Sequence, residues 1–174
     1  MNTGYFIDLI NGLPKRIQGL LHSTGAADAD KLIRLDSTGK LSNTVMPVGI
    51  VADTESVFAS ESLAANDLVQ IFDNAGNPNV RKADATAINK FQTTGFVKDS
   101  FNASEFALVY FEGRMTGLSG LVAGDNMYLS EIAGQATPTP PSSPEAIVQR
   151  IGQAVSETTI SFERAVPVEL EDIV

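Results

Sequence analysis

The sequence predicts a mainly β fold: a small β-barrel or β-sandwich that follows an extended N-terminal arm and contains little helix. From residue 48 onward, short runs rich in Val, Ile, Phe, Tyr and Thr alternate with clusters of Gly, Asn, Asp and Pro. Apolar residues make up 43% of the 174 residues, which is enough to build a core. Residues 63–76 and 121–134 resemble each other, which points to a repeated β-unit.

Residues 1–47 are predicted to form the arm. Its first part carries apolar residues interrupted by Asn11-Gly12 and Pro14, which predicts a short helix or turn. The run "DKLIRLD" at residues 30–36 predicts one strand that ends at a Ser-Thr-Gly turn. Segments this short do not fold alone, so we expect the arm to dock on another surface.

Residues 48–165 are predicted to form the β-domain. The segment "DNAGNPN" at 73–79 is typical of a hairpin loop between two strands. The segment "TPTPPSSP" at 137–144 predicts a surface loop or an edge segment, because proline donates no ladder hydrogen bond. Residues 83–90, "ADATAINK", are the one helical candidate in this half.

The repeat admits two explanations. "LAANDLVQIFDNAG" and "LVAGDNMYLSEIAG" align without gaps, and a later glycine, Gly95 or Gly152, follows each with a one-residue slip. Two ordinary hairpins with similar turn requirements would give this pattern, and so would a pseudo-duplicated barrel or sandwich. The last residues, 166–174, read either as an acidic solvated tail or as an edge strand that pairs with a neighbouring chain.

The charge balance excludes several classes of protein. The net charge of -9 argues against nucleic-acid binding, which requires a concentrated basic surface. The absence of cysteine excludes disulfides and thiolate metal sites, and no apolar run is long enough to cross a membrane. The first residues lack the pattern of a signal peptide, so we expect synthesis in a cytoplasm and no membrane partner.

No catalytic, cofactor or metal site is predicted. His22 stands beside Ser23 without a placed acid, and "GLSGL" at 117–121 lacks the second glycine of a nucleophile elbow. The phosphate-binding glycine loops are missing, and a sequence cannot show whether acids such as Glu105, Glu112 and Glu131 converge.

Three of the four aspartates in the arm raise the question of calcium. Asp28, Asp30 and Asp36 are hard oxygen ligands, but Gly39 falls where an EF-hand loop needs its closing glutamate. Turn and cap roles explain these aspartates more simply.

Several segments together resemble a family of small virion proteins of tailed bacteriophages. The resemblance covers nearly the whole chain, and its order of motifs matches that of the family. It rests on "STGAADADKLIRLDSTGKLSNTVMPVGI", "AANDLVQIFDNAGNPNVRKADA", "VYFEGRMTGLSGLVAGDNMYLSEIAGQATPTPP" and "VQRIGQAVSETTISFE".

The resemblance implies a capsid decoration (cement) protein on the virion surface. The implied partners are the major capsid protein and further copies of this chain in a homotrimer, with no catalytic residues and no cofactor. Two alternatives stay open: a tail- or head-fibre adaptor, and a carbohydrate-binding β-module, which the absence of tryptophan disfavours. The residues expected to bind the partner are apolar ones in the arm: Leu32, Ile33, Leu35, Leu41, Val45 and Met46.

Overall fold

The computed structural model describes residues 5–46 and 52–169. The chain divides into two compact units, Met1–Val51 and Ala52–Val174. The described residues form strands and two short 3₁₀ turns, and they contain no α-helix. The predicted mainly β fold with a small barrel is confirmed.

The first unit begins with a β-hairpin. Strand β1 (Tyr5–Ile10) pairs antiparallel with β2 (Leu13–Gln18) across a two-residue turn. The turn residues Asn11 and Gly12 have φ angles of 55° and 75°, the positive values that tight hairpin turns require. Of the two expectations for this segment, the structure has the turn, at Asn11-Gly12, and not the short helix.

The rest of the first unit is mostly irregular. Residues 30–36 do not form the predicted strand, since Ile33 makes only a single parallel bridge with Leu20. Asp30 has a φ of 62°, which is incompatible with an extended strand. Short 3₁₀ turns at Ala26–Asp28 and Asn43–Val45 complete the described part of this unit.

The second unit opens with a closed five-stranded barrel. Its strands run in the order β3-β5-β4-β6-β7, and β3 pairs with both β5 and β7 to close it. All pairs are antiparallel except β3 with β5. The strands are β3 (Thr54–Ala59), β4 (Leu68–Asn74), β5 (Asn77–Lys82), β6 (Gly95–Val97) and β7 (Phe106–Tyr110).

A second five-stranded sheet follows in the same unit. It is ordered β10-β9-β12-β13-β8, and a separate pair joins β11 to β14. The strands are β8 (Gly113–Thr116), β9 (Asn126–Leu129), β10 (Ala136–Thr137), β11 (Ile147–Val148), β12 (Arg150–Ser156), β13 (Thr159–Phe162) and β14 (Val168–Glu169).

The two sheets share one topology. When β3, β4, β5, β6 and β7 are matched in chain order to β8, β9, β10, β12 and β13, the strand orders coincide. The turns match as well: Asn66 N donates to Val97 O at 2.8 Å in the first sheet, and Gly124 N donates to Ala154 O at 2.8 Å in the second. Asn66 and Gly124 both have positive φ. This agreement supports a duplicated β-unit, because similar hairpin turns alone would not reproduce the strand order.

Gly95 and Gly152 occupy matching positions in the two sheets, and at each the neighbouring strand lies very close. A Cβ on Gly95 would lie 2.4 Å from the carbonyl oxygen of Tyr110 on β7. A Cβ on Gly152 would lie 2.1 Å from the carbonyl oxygen of Ser161 on β13, the strand matched to β7. Each strand pair approaches too closely for a side chain, so only glycine fits at either position.

The two sheets share part of one core. Leu68 and Phe96 of the barrel pack in one cluster with residues of the second sheet, including Met115, Met127 and Ile160. A smaller cluster of valines, alanines and Leu63 fills the barrel itself. The two sheets of the second unit therefore depend on each other for burial of apolar surface.

Three further sequence expectations meet the structure in this unit. The 73–79 hairpin is confirmed, but its strands extend until only Ala75 and Gly76 remain between them. The proline-rich segment starts in the short edge strand β10 and continues as a loop. Residues 83–90 form turns, so the helix predicted there was wrong.

The described part of the C-terminal segment pairs with its own chain. Strand β14 pairs antiparallel with β11, so its partner is not a neighbouring molecule. Residues 170–174 of the predicted tail lie outside the described residues.

Candidate interaction surface

The loop after residue 35 is organised by one carboxylate. Asp36 Oδ1 accepts hydrogen bonds from Thr38 N at 2.8 Å, Thr38 Oγ1 at 2.7 Å and Lys40 N at 2.9 Å. The bonds from Lys40 and Thr38 lower the pKa of Asp36. The carboxylate is occupied by its own loop, so it is a turn residue, as one reading of the sequence suggested.

The Asp28 carboxylate organises the preceding loop in the same way. Its Oδ1 accepts from Lys31 Nζ at 2.6 Å, and its Oδ2 accepts from Thr24 N at 2.6 Å and Thr24 Oγ1 at 2.9 Å. The bonds from Lys31 and then Thr24 lower the pKa of Asp28 to about 2. Across residues 5–46 and 52–169, no group of three or more His, Asp or Glu side chains is arranged to hold a metal ion.

His22 takes part in a short polar chain. Its Nδ1 lies 2.9 Å from Ser42 Oγ, and Ser42 Oγ lies 3.0 Å from Thr44 Oγ1, which accepts from Ser23 N at 2.8 Å. These contacts are exposed, and Ser42 is a partner that sequence reasoning did not identify. These hydrogen bonds join two segments of the first unit, residues 22–23 and 42–44.

The three glutamates whose convergence the sequence could not show have separate local roles. Glu105 binds the backbone and side chain of Asn102, which lowers its pKa. Glu131 accepts hydrogen bonds from the proline-rich loop, and the bonds from Ser143, and then Ser142, lower its pKa. Glu112 lines a groove of mixed charge that also contains arginine and glutamate.

The first unit presents apolar side chains to solvent. Of the six predicted partner-binding residues, all but Val45 are exposed, and Val45 is half-buried. Ile7 and Leu13 of the hairpin are exposed as well, at 78% and 65%. Among the side chains described in residues 5–46, no apolar one is buried.

The described apolar side chains of this unit are exposed or half-buried, and none is fully buried. Such an exposed apolar surface is typical of a segment that binds a partner. A shallow groove on this unit is lined by Leu20, Ser23, Asp28, Lys31, Ile33, Thr44, Val45 and Met46.

A second apolar surface lies on the barrel and was missed by sequence reasoning. On β3 and β7 the inward side chains are small, Val57, Ala59, Ala107 and Val109, and they form the barrel core. The outward side chains include Phe58, Phe106 and Leu108, and Phe106 is 67% exposed. The rings of Phe58 and Phe106, which are paired across the strands, meet edge to face at 5.6 Å.

A groove of about 440 Å³ lies beside these rings, where β3 and β5 are still apart before they reach their two paired residues. It is lined by Ser56, Val57, Phe58, Asn74, Asn77, Pro78, Asn79 and Phe106, none of which carries a charge. Asn79 lines this groove, although the residue as a whole is only 5% exposed. We call these lining residues together with Leu108 the barrel face.

The described chain contains no helix that is long and apolar enough to cross a membrane. Comparison with models of protein families, with curated proteins and with solved structures finds no match to this chain.

Proposed function

We propose that this chain is a structural virion protein that binds the outer surface of a bacteriophage capsid and stabilises neighbouring capsomers. In this proposal the first unit contacts the major capsid protein, the second unit forms the exposed body, and the protein assembles as a homotrimer. The exposed apolar side chains of the first unit are the observation that supports this proposal, in addition to the sequence resemblance.

The size of that surface supports binding to a protein. Seven large apolar side chains of the first unit are exposed: Ile7, Leu13, Leu32, Ile33, Leu35, Leu41 and Met46. A stable protein interface buries about 800 Å² per partner over roughly 20–30 residues. The segment spanning residues 5–46 is long enough to supply such an interface.

The location on the virion is tested by labelling. Gold-conjugated antibodies against the second unit, applied to virions that carry this chain, are expected to decorate the capsid shell in electron micrographs. Label confined to the tail or to fibres would reject the capsid proposal and favour the adaptor alternative.

The binding surface is tested with purified protein and capsids that lack it. Leu35→Asp combined with Leu41→Asp is expected to abolish co-sedimentation with capsids, because the new charges would have to be buried at the interface. Ile132→Asp, at an apolar residue of the second unit that is 62% exposed, is the matched control and should bind normally. Equal binding by both variants would show that the first unit does not make the contact.

The stabilising role has its own readout. Capsids with the bound protein are expected to release their DNA at a higher temperature than bare capsids, because a ligand that binds only the intact state stabilises it. Identical release temperatures would show that the protein binds the capsid without stabilising it.

A further inference from the structure

The barrel face differs from the same face of the duplicated sheet. On β8 and β13, the strands matched to β3 and β7, the outward positions hold Arg114, Thr116, Thr159 and Ser161. Both sheets bury apolar residues on the inward side, so the fold itself does not require aromatic residues outside. The exposed Phe58, Phe106 and Leu108 are thus an addition specific to the barrel copy.

The face is also uncharged, although the whole chain carries a net charge of -9. Two copies of an acidic protein repel each other, and like charges placed opposite one another disfavour a contact. Two copies therefore repel each other least when they meet through a neutral apolar patch.

The polar groups of the groove are suited to binding a second copy of this chain. Asn74, Asn77 and Asn79 each present an amide that both donates and accepts hydrogen bonds, whereas a carboxylate only accepts. Asn79 is 5% exposed and lies in the wall of the groove. A copy that packs against the groove would have to supply hydrogen bonds to these amides, because a polar group buried without one is unfavourable.

From these observations we infer that the barrel face is the surface through which copies of this chain associate with each other. Phe106 projects beside the groove, so the same face offers both an aromatic side chain and a recess that can receive one. Exposed aromatics flanked by neutral polar groups are the usual anchors of protein interfaces. This inference rests on the self-association named in the proposed function and is independent of capsid binding.

Analytical ultracentrifugation of the full chain tests the inference. The mass of the wild type is expected to exceed 18.5 kDa and to rise with concentration between about 1 and 200 µM. Phe106→Asp is expected to weaken association at least about 10-fold, since it places like charges at the contact. Thermal unfolding should confirm that the variant is folded, because Phe106 is largely exposed.

Ser161→Asp is the matched control, because it adds the same charge to the matched face of the second sheet. It should associate like the wild type. A wild type that stays monomeric at the highest concentration, or a Phe106→Asp variant that associates normally, overturns the inference. Loss of capsid binding by the Leu35 and Leu41 variants without a change in mass would show that the two surfaces act separately.

Discussion

Replacing Gly152 by alanine should destabilise the second unit strongly. Gly152 lies on β12 and pairs with Phe162 of β13, where an added Cβ would stand 2.1 Å from Ser161 O and 3.2 Å from Phe162 Cα. Ordinary contact between a Cβ and backbone atoms begins at 3.4 Å, so the strands would have to separate by about 1 Å locally. Such a shift lengthens ladder hydrogen bonds in the middle of the sheet.

A second cost comes from the backbone. Gly152 has a φ of 148°, a conformation that residues with a side chain rarely adopt. Backbone strain of this kind costs roughly 1–3 kcal/mol, and overpacking adds about 1–3 kcal/mol. We therefore expect Gly152→Ala to lower the free energy of unfolding by roughly 2–6 kcal/mol.

Gly113 provides the control that separates the two costs. It pairs with the other side of Phe162, has a φ of 122°, and has no atom within 4 Å of an added Cβ. Gly113→Ala should therefore suffer only the backbone strain of about 1–3 kcal/mol. Urea unfolding followed by tyrosine fluorescence, which is free of tryptophan signal in this chain, measures both variants. Equal losses within about 0.5 kcal/mol would refute the crowding argument.

Three further perturbations probe other parts of the molecule. Phe96→Ala should lower the free energy of unfolding in urea by about 3–5 kcal/mol, because it leaves a cavity in the shared core. Phe106→Ala, on the surface, should lower it by less than about 0.5 kcal/mol. Similar losses for the two variants would contradict the burial argument. Glu131→Gln removes the charge that holds the loop at 137–144, so hydrogen exchange there should accelerate, and unchanged exchange would count against this role. The folded pKa of Asp28, about 2, lies below the ordinary aspartate value of 3.8. Its contribution to stability is therefore present above pH 3.8 and is lost as the pH falls through about 2. An NMR titration midpoint at or above 3.8 would disprove the pairing.

Strand content was predictable in this chain, whereas several local conformations were not. The segment at residues 5–18 was expected to be a short helix or a turn, although Asn-Gly between apolar runs is a strong signal for a hairpin. Residues 83–90 looked helical because they are rich in alanine. Ala83 and Ala85 instead are buried in the core and donate their N–H groups to Leu68 O and Ser130 O, an alternation typical of extended chain.

The barrel face was hidden for a different physical reason. Runs such as "SVFA" and "FALV" carry apolar residues on both faces of a strand, so alternation does not tell which face is inside. Phenylalanine is ordinarily expected to be the buried residue. The interior of a five-stranded barrel is narrow, however, so it takes Val57 and Ala107, while Phe58 and Phe106 lie outside. The exposed apolar residues of the first unit were easier to anticipate, because that segment offered no regular pattern of burial.

The duplicated sheets differ in closure, and the sequence explains why. The six-residue β5 closes the barrel by pairing with β3, but its counterpart β10 has only two residues before Pro138 and Pro140. Proline donates no ladder hydrogen bond, so β10 cannot extend far enough to pair with β8, and no such pair occurs in residues 52–169.

The first copy supplies the contacts that the missing pair would have made. Asn66 Nδ2 donates to Thr116 O on β8 at 2.9 Å, and Leu68 N donates to Gly134 O beside β10 at 2.7 Å. The turn of the barrel thus bonds to both edges of the open sheet, while Leu68 and Phe96 extend its core. Because the open copy depends on the closed one for its edges and its core, the two copies should unfold together in a single transition.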